Sequence, residues 1–188
     1  MRKLILQMQI TLDGFVAGPN GENDWVFIPS QQDAEALNFS KDMADSCDTL
    51  LAGRKLSHGW MDHWQNIADN QPDNPWNAFA KLMVKQRKIA FSKTPGETAG
   101  RDFELETRDL ATVIKELKSE PGKDLLIYGG VGFATSLIEH DLVDEYYFIV
   151  NPVAIGNGLS IFKERKIMKL EKSVAYANGK VLNKYVRA

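Results

Sequence analysis

An α/β fold, with a mostly parallel sheet flanked by helices and an antiparallel hairpin at its edge, is what this sequence of 188 residues predicts. Three observations carry that expectation. Strand-like and helix-like segments alternate as far as residue 140, the pattern by which chains build parallel sheets. The run "DLLIY" (124–128) passes through Gly129-Gly130 directly into the helical pattern "VGFATSLIEH" (131–140). After that helix only strand-like segments remain, and Asn178-Gly179 joins two of them, the strongest short hairpin signal.

Taken in order, "KLILQMQITL" (3–12) puts Leu4, Leu6, Met8, Ile10 and Leu12 on one face and reads as the first strand. "DGFVAGPNGENDW" (13–25) is a long loop punctuated by Gly14, Gly18, Pro19, Asn20 and Gly21. A helix is expected over 30–46, beginning near Ser30, with Ala34, Leu37, Phe39 and Met43 available to pack. "DTLLAGRK" (48–55) is a short buried strand ending at Gly53. "PWNAFAKLMVKQ" (75–86) is helical, and Pro75 suits a first turn because its missing N–H costs nothing there. Strands are expected at 87–93 and 101–107. Residues 109–119 form an amphipathic helix, with Leu110, Val113, Ile114 and Leu117 at helical spacing behind Asp109 as N-cap. "VDEYYFIVNPVAIG" (143–156) is a strand broken by Pro152, and the closing hairpin occupies 172–187. No repeat or linker interrupts the chain, so 1–188 reads as a single domain.

Composition narrows the function. With 44% hydrophobic and 26% charged residues and a net charge of −2, the chain has no basic field for nucleic acid or an anionic membrane. Any anion site must be local. Cys47 is the single cysteine, so neither an internal disulfide nor a CxxC metal site is expected, and a reducing, cytoplasmic setting follows. Gln7 and Gln9 interrupt the apolar N-terminal stretch, which marks a strand rather than a leader. The three histidines suggest no metal site: His58 and His63 stand five apart, and His140 ends a helix.

The glycine turn fails both standard phosphate fingerprints. Gly130 and Gly132 begin a G-x-G pattern, but Thr135 occupies its last position and Val150 stands where the ribose-binding acid is expected. No Gly-Lys-Ser/Thr occurs. A strand ending in glycines and opening a helix still leaves backbone N–H groups facing outward, which favours an anion. A plain strand-to-helix turn and a phosphate cradle both remain open on this segment alone.

Four stretches together resemble the dihydrofolate reductase-like superfamily, in the branch of the riboflavin-biosynthesis reductase domain and its stand-alone relatives. "QITLDGFVAGPNGENDW" is similar to its first strand and active-site loop, and "DTLLAGRKLSHGW" to its strand-Gly-Arg-helix unit. "KIAFSKT" resembles the next sheet strand. "DLLIYGGVGFATSLIEHDLVDEYYFIVNPVAIGNGLSIF" resembles the Gly-Gly turn, its helix and the P-V-x-x-G-x-G loop. The resemblance implies a three-layer sandwich, NADPH as hydride donor, a small heterocyclic acceptor (pterin-like or pyrimidine-like) and a homodimer. It places Ala17, Gly53, Arg54, Lys55, Ser92, Gly129, Gly130, Val131, Gly132 and Phe133 against the cofactor, and Asp13 and Trp25 in the substrate loop. A guanidinium and an ammonium at Arg54 and Lys55 suit the 2′-phosphate that separates NADPH from NADH. Asp13 either orients substrate or fixes the loop. The aromatics of "HGWMDHW" (58–64) either line a flat acceptor site or belong to core or dimer contacts. Tyr128 stands where the riboflavin reductases commonly carry Glu, which sets this chain apart from riboflavin synthesis. The rival reading is a nucleotide-binding protein that keeps the fold without turnover.

Overall fold

The computed structural model describes residues 1–28, 33–94 and 99–188. Its strands are β1 (Leu4–Thr11), β2 (Cys47–Gly53), β3 (Arg87–Phe91), β4 (Glu104–Glu106), β5 (Asp124–Ile127), β6 (Glu145–Asn151), β7 (Met168–Ala175) and β8 (Val181–Arg187). They form one sheet in the order β4-β3-β2-β5-β1-β6-β8-β7. The first six run parallel, and β8 pairs antiparallel with both β6 and β7. The helices are α1 (Ala34–Ser46), α2 (Arg54–Asn70), α3 (Asn77–Lys85), α4 (Leu110–Ser119) and α5 (Val131–Glu139).

The sheet separates two layers of helix, as a parallel sheet requires. On one face Leu4, Leu6 and Met8 of β1 pack with Val113, Ile114 and Leu117 of α4 and Leu137 and Ile138 of α5. On the other, Ile5 and Leu126 meet Met43 of α1, while Leu50 meets Met61 of α2 and Phe79 and Met83 of α3. β1 therefore buries both its faces over residues 4–8, with Gln7, on the side opposite the apolar row, only 4% exposed, whereas Leu12, expected on the apolar face, lies beyond the strand and is 71% exposed.

Several boundaries differ from expectation for identifiable reasons. The expected start of α1 near Ser30 lies outside the described residues; Asp33 caps the helix, accepting from Glu35 N at 2.9 Å and Ala36 N at 3.1 Å. The helix after Gly53 extends to Asn70, but His58 (ψ 126°) and Gly59 (φ 75°) break it after one turn, which hides its periodicity. Of 101–107 only three residues pair, at the sheet edge. The strand expected over 143–156 ends at Asn151, because Pro152 has no N–H to continue the ladder. The hairpin forms as expected, with Gly179 at φ 84°. Among the described residues no helix is long and apolar enough to cross a membrane.

Candidate functional site

Apart from Ala17, which lies in the loop after β1, the sequence-predicted cofactor residues lie at the C-terminal ends of β3, β2 and β5, three neighbouring strands. β2 turns into α2 at Gly53 and β5 turns into α5 at Gly129-Gly130. These turns touch: a Cβ on Gly53 would lie 3.1 Å from Phe133 Cβ, and one on Gly130 would lie 3.6 Å from Gly53 N. Gly130 also has φ 89°, a conformation that L side chains rarely adopt. Neither helix start carries a side-chain cap, and a Cβ at Gly132 would meet open space. The first backbone N–H groups of α5 thus have no side-chain cap, the condition under which a helix start favours an anion.

Phe133 stacks on Phe91 with ring centroids 5.0 Å apart, fixing the start of α5 to the end of β3. Gly53 pairs with Phe91, so Arg54 and Ser92 follow from adjacent strand ends. Arg54 is half-exposed and Lys55 exposed. Ser92 Oγ accepts from Thr94 N at 3.1 Å, closing a tight turn there.

The loop after β1 is stitched to the loop after β6. Leu12 N donates to Val153 O at 2.7 Å, Val16 N to Leu159 O at 2.9 Å, and Leu159 N to Ala17 O at 2.8 Å. Asp13 joins the same seam: its carboxylate accepts from Thr11 Oγ1 at 2.5 Å, Gly156 N at 2.7 Å and Ile155 N at 3.1 Å. The Thr11 hydroxyl and the Gly156 N–H hold its carboxyl below the ordinary carboxylate value. Asp13 pins the loop after β1 to the loop after β6. Trp25 lies further along, in a 3-10 helix at Asp24–Phe27; its indole is buried and its N–H has no hydrogen-bond partner.

The tryptophans of 58–64 are mainly packing groups. Trp60, Trp64, Trp76 and Phe79 form a cluster of tilted and edge-to-face rings joining α2 to α3, with Trp64 and Phe79 centroids 4.8 Å apart. Tyr128 completes it, 6.2 Å from Trp60 and 5.9 Å from Phe79. Its hydroxyl is buried without a partner, and burial pushes its pKa up, so it stays a neutral phenol. Gln7 was legible only as an interruption of the first strand, although a polar residue in a strand buried on both faces is itself a signal. Among the described residues no group of His, Cys, Asp or Glu is arranged to hold a metal.

The cradle suits a dinucleotide: uncapped N–H groups at the glycine turns, cations at the neighbouring strand end, and a ledge on the next strand. Comparison with known proteins agrees in fold. The RibD C-terminal domain family model matches residues 2–182. The chain is 33% identical over 183 residues to the uncharacterized protein YyaP of Bacillus subtilis, covering 96% of this chain and 92% of that one. A deaminase/5-amino-6-(5-phosphoribosylamino)uracil reductase from Thermotoga maritima superposes with TM-score 0.69 at 15% identity, over 100% of this chain and 57% of that one. Dihydrofolate reductase from Enterococcus faecalis, complexed with NADP(H), gives TM-score 0.60 at 13% identity, over 98% and 96%.

Proposed function

The chain belongs to the RibD C-terminal domain family, and we propose that it is an NADPH-dependent reductase acting on a small heterocyclic acceptor. The observation that carries this reading is the contact between the Gly53 and Gly130 turns, which brings two helix starts without side-chain caps together. Val131 and Gly132 would hold the pyrophosphate through their N–H groups, Arg54 and Lys55 the 2′-phosphate, and Ser92 would line the adenosine side. The reduced nicotinamide supplies the hydride, so the chain needs no nucleophile of its own. Its task is to align donor and acceptor and to exclude water. Ala17 and Asp13 supply the ledge, and Trp25, whose indole is 3% exposed, backs the same loop from within.

Titration of tryptophan fluorescence with NADPH and NADH tests the reading. Micromolar NADPH binding, at least about tenfold weaker NADH binding, and loss of that preference in Arg54→Ala are expected. Binding of neither nucleotide overturns it. NADPH oxidation in the presence of pterin-type and uracil-type acceptors then separates a reductase from a protein that only binds the nucleotide. The buried free thiol of Cys47 supports a cytoplasmic setting. Exposed Ile167 and Leu170, at and just before the edge strand β7, support a homodimer, which light scattering tests.

A further inference from the structure

We propose that Ser57 and Gly100 form a latch that holds the helical turn 54–57 in place independently of the rest of α2, and that the alignment of Arg54 and Lys55 with a 2′-phosphate depends on it. Ser57 is a positioning residue. The latch stands on the geometry of α2 alone, and its effect on the nucleotide rests on the reductase reading.

The two cations ride on a fragment. α2 starts at Arg54, but His58 (ψ 126°) and Gly59 (φ 75°) leave helical geometry, so 54–57 is a single turn. One turn has little stability of its own, because nucleation fixes several dihedrals for few hydrogen bonds. Its placement must come from tertiary contacts. On the side of the glycine turn, a Cβ on Gly129 would lie 3.4 Å from Leu56 Cδ2, so Leu56 seats the turn there. On the other side, the Ser57 hydroxyl donates to Arg54 O at 2.7 Å and accepts from Gly100 N at 2.9 Å. Ser57 is 1% exposed, so both bonds are shielded from water. The approach is close: a Cβ on Gly100 would fall 1.9 Å from Ser57 O, and only glycine fits.

The same segment bridges the break. Arg101 Nε lies 3.3 Å from Asp62 Oδ1, and Phe103 packs against the buried cluster that contains Met61, both partners lying beyond Gly59. Residues 100–103 therefore touch α2 on either side of its kink. The ion pair is exposed and adds little, so the buried bonds of Ser57 carry the fastening. One hydroxyl closes the turn on the Arg54 carbonyl and ties it to a second segment, which fixes the turn in rotation as well as in position. Without it the turn, with both cations, is free to rotate about the kink.

The test is hydrogen exchange, read by mass spectrometry on peptides covering 53–59 and 60–70, together with NADPH and NADH titration of the same proteins. In Ser57→Ala, exchange over 53–59 is expected to rise about tenfold or more while 60–70 stays as in the wild type. NADPH affinity is expected to fall about tenfold and NADH affinity to hold, so the preference shrinks. A merely structural serine would lower Tm without moving that ratio. Gly100→Ala breaks the contact sterically from the other side and is expected to give the same pattern; it decides the matter if Ser57→Ala does not fold. Exchange that rises equally in both peptides overturns the inference, as does an NADPH preference that stays at the wild-type value in both variants. If the wild-type protein binds neither nucleotide, a rise confined to 53–59 supports the latch itself and retires the reductase reading.

Discussion

At the N-terminal ends of the strands, buried Arg2 reaches Asp48, Thr49 Oγ1 and the Lys123 carbonyl. Beside it Lys118 Nζ meets Leu142 O at 2.7 Å and Asp144 at 2.6 Å, and Asp124 and Asp144 accept from Lys3 N and Leu4 N. At the C-terminal ends of the same strands, helices begin at Gly53 and Gly130 without side-chain caps, and the Tyr128 hydroxyl is buried unpaired. Apart from Gln86 Oε1, the first edge spends these polar side chains within the chain; at the second the Asp13 carboxylate is taken by its own loops, while the Tyr128 hydroxyl and the two helix starts are left without a side-chain partner. Stability is concentrated where the donors and acceptors are spent, and recognition where they are kept.

The contrast can be broken at either edge. The largest effect is expected at the closed one: Arg2→Ala removes a buried side chain together with its bonds to Asp48, Thr49 Oγ1 and the Lys123 carbonyl, and should cost about 3 kcal/mol in denaturant unfolding. It should leave NADPH affinity unchanged. At the open edge Gly130→Ala forces a side chain into φ 89° and should cost about 1–3 kcal/mol. It should also weaken NADPH at least about tenfold in the fluorescence titration, which Arg2→Ala does not. If both variants lose stability alone, the two edges are not different in kind.

A smaller effect sharpens the picture through pH. Hydrogen bonds from the Thr11 hydroxyl and the Gly156 N–H depress Asp13 in the folded state. Its contribution is therefore present above the unfolded carboxyl value of roughly 4 and is lost as pH falls through the folded one. Tm measured from neutral pH down into acid should fall less steeply in Asp13→Asn than in the wild type. An unchanged acid limb would mean that the seam between the two loops does not depend on the charge. The smallest effect on stability is expected for Tyr128→Phe, whose removed hydroxyl has no partner to lose; a marked drop in Tm would place Tyr128 with the closed edge.

Much of the architecture was legible from spacing. The helix at Leu110–Ser119, the strand-Gly-Gly-helix unit and the Asn178-Gly179 hairpin rest on contacts within a few residues, so local pattern suffices. The break at His58-Gly59 obscured α2, because a helical period cannot be read across a residue at φ 75°. Alternation along β1 was read as one buried face, yet a central strand buries two.

The order of strands and helices, and the glycine turns as places of exposed N–H groups, follow from the residues themselves, since periodicity and backbone freedom are local properties. Pairing across the sheet is not local. Only the tertiary structure decided that Gly53 meets Gly130, that the Asp13 carboxylate is taken by the Ile155-Gly156 backbone, and that Ile5 pairs with Leu126 on the strand that leads to Tyr128. Each of these joins residues more than seventy positions apart, and the physical reason is that hydrogen-bond register, not sequence spacing, chooses a strand's neighbour.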